Sequence, residues 1–133
     1  MTTAPPNPGE SESRTEMLRQ ISREMVARYK NQFGRGPTKA RVDFANPDLL
    51  IVTLEDSLTP AEQNLARMGE HQRLRDVRLF FKHASEHEFR EIVERLTGRQ
   101  VRGFVSGVDT REDISIEAFY LEPQAATATG VPG

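Results

Sequence analysis

The sequence contains no cysteine, no long apolar run and no strong excess of one charge sign, and each absence excludes a class of protein. Without cysteine the chain forms no disulfide and no thiolate metal site, which fits a reducing compartment. The longest apolar run, residues 49–52, is far shorter than the roughly 20 residues that span a bilayer, so we expect no membrane insertion. The N-terminal residues lack a basic segment followed by an apolar one, which argues against a secretory signal. A formal net charge of −2 argues against a globally basic nucleic-acid-binding protein.

The 133 residues suffice for a single domain with a modest core. Residues 1–13 are rich in Pro, Ser, Thr and Glu, and residues 123–133 are small and show no hydrophobic periodicity. Both segments are therefore predicted to be disordered tails. Residues 14–122 are predicted to form one α+β domain.

The first predicted element is an amphipathic helix over residues 14–33, because apolar residues recur at every fourth position from Met17 to Phe33. Gly34 is well placed to end this helix, since glycine adopts the left-handed conformation of a helix terminus with the least strain. Pro37 then prevents the helix from continuing.

The connection after this helix, Gly34-Arg35-Gly36-Pro37, differs from the common phosphate-binding loops. It lacks the Lys-Ser/Thr pair of a P-loop, and it follows a helix, whose C-terminal end repels phosphate. A dinucleotide-binding fingerprint would need a strand before the glycines and a helix after them. We interpret the segment as a structural helix-to-strand connection. From it, an exposed Arg35 could bind a carboxylate of a partner or an anionic ligand.

Alternating side chains predict two β-hairpins. Residues 38–44 alternate between charged and apolar side chains, residues 49–54 form a more apolar strand, and the turn ANPD joins them. Residues 101–108 and 114–121 form a second hairpin around the turn DTRED. Strands paired as hairpins, rather than alternating with crossover helices, predict an antiparallel sheet and the α+β class.

Two helices are predicted between the hairpins. Thr59 is a candidate N-cap, Pro60 occupies the first helical position and Glu62 completes a capping box, so a short helix starts here. A longer helix is predicted over residues 71–97, with Gly98 at its end. Its expected apolar face comprises Leu74, Val77, Phe81, Ala84, Phe89, Ile92 and Leu96. The complete predicted order is α-β-β-α-α-β-β.

The motif HASEH, from His83 to His87, has the spacing of an inverted zinc-protease motif in which Glu86 would be the base. At about 100° per residue, both histidines lie opposite the predicted apolar face, so we expect them in solvent and predict no metal ion. Basic residues near Phe80 and Phe81 alternate with acidic ones, so no nucleic-acid binding is predicted. No nucleophile motif is present, and no catalytic residue is predicted.

Three stretches together resemble the MpsC family, small bacterial domains named for the C component of a sodium-translocating membrane-potential-generating system. They are FGRGPTKARV, IVTLEDSLTPAEQNLA and VERLTGRQV with the later FYLE, and the resemblance covers residues 14–122. The positions that match the family motifs are Gly34, Arg35, Gly36, Pro37, Leu58, Thr59, Glu62, Thr97 and Gly98. Asp56 departs from the family pattern, which has glycine there, but aspartate tolerates a left-handed turn better than most residues.

The resemblance implies a non-enzymatic accessory or regulatory protein of a sodium-dependent membrane-potential-generating or inorganic-carbon supply system, acting through protein–protein interaction. It implies no cofactor. We expect a cytoplasmic location, compatible with attachment to the inner face of the membrane through a partner in a transport complex. Two hairpins leave unpaired strand edges, and Phe80 lies off the main apolar stripe of its helix, so we also expect a homodimer.

Two other functions stay open on the sequence alone. A regulatory domain for a small anion or a nucleotide would use Arg35 and Arg41 at the mouth of its site. A zinc-dependent hydrolase would use the helix that carries His83, Glu86 and His87.

Overall fold

The computed structural model describes residues 8–124, which form four helices and one four-stranded sheet. In chain order the elements are α1 (Pro8–Phe33), β1 (Lys39–Asn46), β2 (Leu49–Glu55), α2 (Pro60–Arg67), α3 (His71–Ala84), α4 (Glu86–Thr97), β3 (Val101–Asp109) and β4 (Ile114–Leu121). The predicted α+β class, the antiparallel sheet and the order of the elements are confirmed. The long helix predicted over residues 71–97 is divided into α3 and α4.

Helix α1 begins at Pro8, so residues 8–13, predicted to belong to a disordered tail, are helical. Proline is favoured in the first turn of a helix, where its missing N–H is not needed. Residues 1–7 and 125–133 of the predicted tails lie outside the described residues.

The strand order in the sheet is β1-β2-β4-β3, and each neighbouring pair is antiparallel. The two predicted hairpins therefore join side by side through β2 and β4, which leaves β1 and β3 at the edges. Because side chains alternate between the faces of a strand, the registers assign every strand residue to one of two faces.

One face of the sheet, called the inner face, packs against the helices. It carries Ala40, Val42, Phe44, Leu50, Val52, Leu54, Phe104, Ser115, Glu117, Phe119 and Leu121. Ile21 and Met25 of α1 and Phe89 and Val93 of α4 have no exposed surface and complete this core. The opposite side is called the outer face and includes Val105, Ile116 and Tyr120.

The long predicted helix breaks at Ser85, whose φ is −100° and ψ is 11°. Its N–H donates to the carbonyl of Phe81 at 3.1 Å, and its hydroxyl donates to the side-chain oxygen of Gln32 on α1. Serine side chains compete with helical hydrogen bonds, so this contact redirects the chain between α3 and α4. The predicted apolar face is wrong for α3, because Val77 and Phe81 are exposed.

Candidate functional site

In helix α3, two charged residues face the core and aromatic residues face the solvent. Arg78 and Lys82 have no exposed surface, whereas Phe80 is 70% exposed. Leu74, Arg78 and Lys82 lie four residues apart and therefore share one face of the helix. This arrangement is the reverse of an ordinary amphipathic helix, so both cations need partners inside the protein.

Arg78 is paired with Glu62, at the start of α2. Its Nε and Nη2 donate to the two carboxylate oxygens of Glu62, each at 2.6 Å. Nη2 also donates to the carbonyl of Ser57 at 2.9 Å. The guanidinium lies 3.8 Å from the centre of the Phe33 ring, which adds a cation–π contact. The buried cation is thus held by a two-point carboxylate bond, the strongest geometry for arginine.

Glu62 also completes the capping box that the sequence predicts. Its Oε1 accepts the N–H of Thr59 at 2.8 Å, and the Thr59 hydroxyl accepts the N–H of Glu62 at 3.3 Å. Burial acts to raise the pKa of Glu62, but the hydrogen bonds from Arg78 and Thr59 outweigh it and hold this pKa below its ordinary value. One carboxylate therefore both starts α2 and neutralises the buried arginine of α3.

Lys82 is paired with Glu117, an acidic residue in the middle of the inner face. Lys82 Nζ lies 3.2 Å from Glu117 Oε1 and donates to the carbonyl of Gly107 at 3.0 Å. The Tyr29 hydroxyl of α1 donates to the same Glu117 oxygen at 2.5 Å. These three side chains, called the core network, join α1, α3 and β4.

Burial shifts the pKa values of Lys82 and Tyr29 in the core network. It lowers the pKa of Lys82, and the Glu117 carboxylate partly opposes that shift. Burial and the same carboxylate raise the pKa of Tyr29 well above its ordinary value, so the phenol keeps its proton at neutral pH. Tyr29, Lys82 and Glu117 have no exposed surface. The network can therefore fix how the helices pack on the sheet, but it offers no surface to a ligand.

The first connection and the start of α2, both part of the family motifs, lie against each other. Arg35 donates to the carbonyl of Leu58 at 2.8 Å and to the Asp56 carboxylate at 3.0 Å. Asp56 has a left-handed φ of 60° and also accepts a hydrogen bond from Thr38 at 2.8 Å. The turn therefore keeps its left-handed conformation with aspartate in place of glycine, and the two hydrogen bonds lower the pKa of Asp56.

The glycines of the connection have the structural roles that the sequence predicts. Gly34 ends α1 with a φ of 81°, and its N–H donates to the carbonyl of Lys30 at 2.8 Å. A side chain at Gly36 would lie 3.4 Å from Val26, so this position packs closely on α1. Pro37 follows and separates the helix from β1.

The remaining predicted site residues lie elsewhere. Thr97 and Gly98 are at the end of α4, where Gly98 has a φ of 70° and caps the helix. Arg41 lies on edge strand β1 with 78% of its side chain exposed, and it pairs with Asp43 at 3.3 Å. The two arginines predicted as binding residues thus bond to different groups. Arg35 contacts Asp56 and Leu58 in the segment before α2, and Arg41 is on the outer face.

His83 and His87 are both exposed, as predicted, although they stand on different helices because the chain breaks at Ser85. The Nδ1 atom of His83 lies 2.9 Å from the carbonyl of Leu79. Among residues 8–124, no group of three or more His, Asp or Glu side chains is placed to hold a metal ion.

The sequence interpretation missed the core network and the turn residue Asp113. The Asp113 carboxylate accepts the N–H groups of Ser57 and Leu58 at 3.0 and 3.2 Å, which fixes the segment before α2. Alternation along β4 contained a signal for Glu117, because it occupies an inward position between Ser115 and Phe119. No sequence signal identifies Tyr29 on α1 and Lys82 on α3 as the partners of Glu117.

Two apolar surfaces remain exposed on the described residues. The first, called the helix patch, consists of Val77, Phe80 and Phe81 on α3, which are 46%, 70% and 43% exposed. The second is the outer face of the sheet. Within residues 8–124, no helix has the length and hydropathy that a membrane span requires.

Comparison with known proteins gives one family. The family model described as "MpsC: Na+-translocating membrane potential-generating system (MpsC)" matches residues 13–123, which include all four strands and α2 to α4. No curated protein and no solved structure matches the chain.

Proposed function

The chain belongs to the MpsC family of the Na+-translocating membrane potential-generating system, and on that premise we propose that it is a non-enzymatic accessory subunit of such a system. It acts by binding other proteins of the system through the helix patch. The observation that carries the proposal is the reversed orientation of α3, which buries Arg78 and Lys82 and exposes Phe80.

The helix patch has the properties of a protein-binding surface. Buried lysine and arginine are rare, and an exposed phenylalanine contributes no hydrophobic stabilisation. This orientation of α3 is therefore unfavourable unless its aromatic side contacts another molecule. The Phe80 and Phe81 rings lie 5.7 Å apart, and Phe81 packs at 6.3 Å on Phe33. The aromatic side chains are therefore already oriented, which reduces the entropy lost on binding.

The polar chemistry of the chain supports a role without catalysis. Arg78 and Lys82 are bonded to carboxylates inside the protein, and Arg35 is bonded to the Asp56 carboxylate. A catalytic group must reach a substrate, whereas these three cations are each bonded to a carboxylate of the protein itself. We infer that they position the surface of α3 and do not react themselves.

Affinity purification from membranes tests this proposal. The tagged full chain is incubated with detergent-solubilised membranes of its own cells, and the recovered proteins are identified by mass spectrometry. We expect recovery of membrane subunits of the sodium-translocating system. Phe80→Ser should lower that recovery at least about tenfold, because aromatic residues at the centre of an interface carry most of its binding energy.

Met68→Ser is the matched control, since Met68 is 72% exposed but lies beyond the end of α2. This variant should recover the same subunits as the unchanged chain. Failure of the unchanged chain to recover any subunit of the system would contradict the proposed function. Equal recovery by Phe80→Ser would show that the helix patch is not the contact.

A further inference from the structure

The outer face of the sheet carries exposed apolar residues, and no described helix covers it. Its two middle rows cross all four strands: Asp43, Ile51, Ala118 and Val105 form one row, and Arg41, Thr53, Ile116 and Gly107 form the next. Val105 is 58% exposed, Ile116 41% and Tyr120 39%. A solvated face of an antiparallel sheet normally carries polar residues, so this surface has the composition of an interface.

Gly107 is not required to be glycine by the structure of a single copy. Its φ lies outside the left-handed range, and a Cβ atom built at this position meets no other atom within 4 Å. Glycine in a strand weakens it, and it often marks a bulge, a bend or a place where a ligand or another backbone approaches closely. Val105, on the same strand and the same face, is the most exposed apolar residue nearby.

Two copies can face each other through their outer faces, related by a two-fold axis that lies between the two sheets. If this axis runs across the strands and passes between the two middle rows, these features become complementary. It places each row over the other row of the second copy, so that Val105 lies over Gly107. It also places Arg41 over Asp43 of the second copy and Asp43 over its Arg41. In a two-fold interface every such contact occurs twice, once in each direction.

The size of the face fits a reversible dimer. Four strands spaced about 4.8 Å apart and eight residues long cover roughly 19 by 26 Å, or about 500 Å². Two such faces give about 1,000 Å², close to the lower limit for a specific interface. Interfaces of this size are typical of weak, reversible association.

We propose that the outer face binds a second copy of this chain about that two-fold axis, with Val105 opposite Gly107 and Arg41 opposite Asp43. This interface gives a defined contact to Arg41, which the sequence suggested for the mouth of a site that binds an anion or a nucleotide. It is independent of the proposed function, because it uses the opposite surface from the helix patch and needs no other protein.

Sedimentation equilibrium of the purified full chain, up to about 200 µM, tests the interface. The unchanged 15.0 kDa chain should reach the mass of a dimer. Gly107→Leu should weaken the dimer at least about tenfold, because its side chain fills the space that Val105 needs. Phe80→Ser should leave the dimer unchanged. A strict monomer, or a Gly107→Leu dimer as stable as the unchanged one, would overturn the proposal.

A mixing experiment tests the axis itself. Arg41→Asp and Asp43→Arg each place like charges opposite one another in a homodimer, so each variant alone should dimerise at least about tenfold more weakly. Mixed together, they place opposite charges at both contacts and should form a heterodimer about as stable as the unchanged dimer. Absence of that heterodimer would overturn this register. Circular dichroism of every variant checks that the fold is intact.

Discussion

Lys82 and Glu117 are charged side chains within an otherwise apolar core, and their effect on stability depends on both being present. Lys82→Met leaves the Glu117 carboxylate buried with only the Tyr29 hydroxyl as its partner. Removal of one partner of a buried ion pair costs about 3–5 kcal/mol, because the remaining charge is uncompensated. We therefore expect urea unfolding to show a loss of that size in the free energy of unfolding.

The combination Tyr29→Phe, Lys82→Met and Glu117→Leu is the matched control for that loss. It removes all three polar groups together, and Glu117 Oε2 already lacks a hydrogen bond within the described residues. Apolar replacement of a whole buried ion pair is often neutral or stabilising. The triple variant should be more stable than Lys82→Met alone, and a lower stability would contradict this view of the network.

Glu62 should make the protein sensitive to acid. Its pKa is lower in the folded than in the unfolded chain, so it contributes stability that is fully present above its unfolded pKa of about 4.3. That stability is lost as the pH falls through the lower folded pKa. Urea unfolding between about pH 6 and pH 3 should show a smaller decrease for Glu62→Gln than for the unchanged chain. Equal decreases would contradict the contribution of Glu62.

At the scale of the elements, the capping box should determine how firmly α2 is held. Thr59→Ala removes the hydroxyl that accepts the N–H of Glu62, and loss of such a cap costs about 1 kcal/mol. Thr59→Ser keeps the hydroxyl and should lose much less. Thermal unfolding of the two variants measures the difference, and equal melting temperatures would contradict the role of this cap.

Most elements could be predicted because their signals are local. The capping box of Thr59, Pro60 and Glu62, the left-handed Gly34 and the alternation of β4 are each encoded within a few residues. The break at Ser85 could not be predicted, because it depends on Gln32, which is distant in sequence. The orientation of α3 was missed for the same reason, since its buried cations require Glu62 and Glu117.

The candidate site was predictable only in part. The sequence suggested Arg41 for the mouth of a site that binds an anion or a nucleotide, and the structure places its side chain in an exposed position on the outer face. It also suggested Arg35, which the fold uses in the turn at Asp56. Val77 and Phe81 of the helix patch were assigned to the core, because periodicity cannot tell which stripe of a helix faces inward when the opposite stripe carries cations with distant partners.

At the scale of the whole molecule, the charged groups of the core hold the helices on one face of the sheet. The two apolar surfaces then remain on opposite sides: the helix patch on α3 and the outer face of the sheet. A dimer formed through the outer faces would present one helix patch on each side. Such an assembly would gain affinity from double attachment only to a partner that reaches both patches at the same time.

The most direct test of the account compares a variant of the helix patch with a variant of the core network in living cells. Sodium-dependent membrane potential is measured with a voltage-sensitive dye in cells that lack this chain and receive one of its variants. The account predicts that Phe80→Ser fails to restore the potential, whereas the folded triple variant at Tyr29, Lys82 and Glu117 restores it. Full restoration by Phe80→Ser, or failure of the folded triple variant, would contradict it.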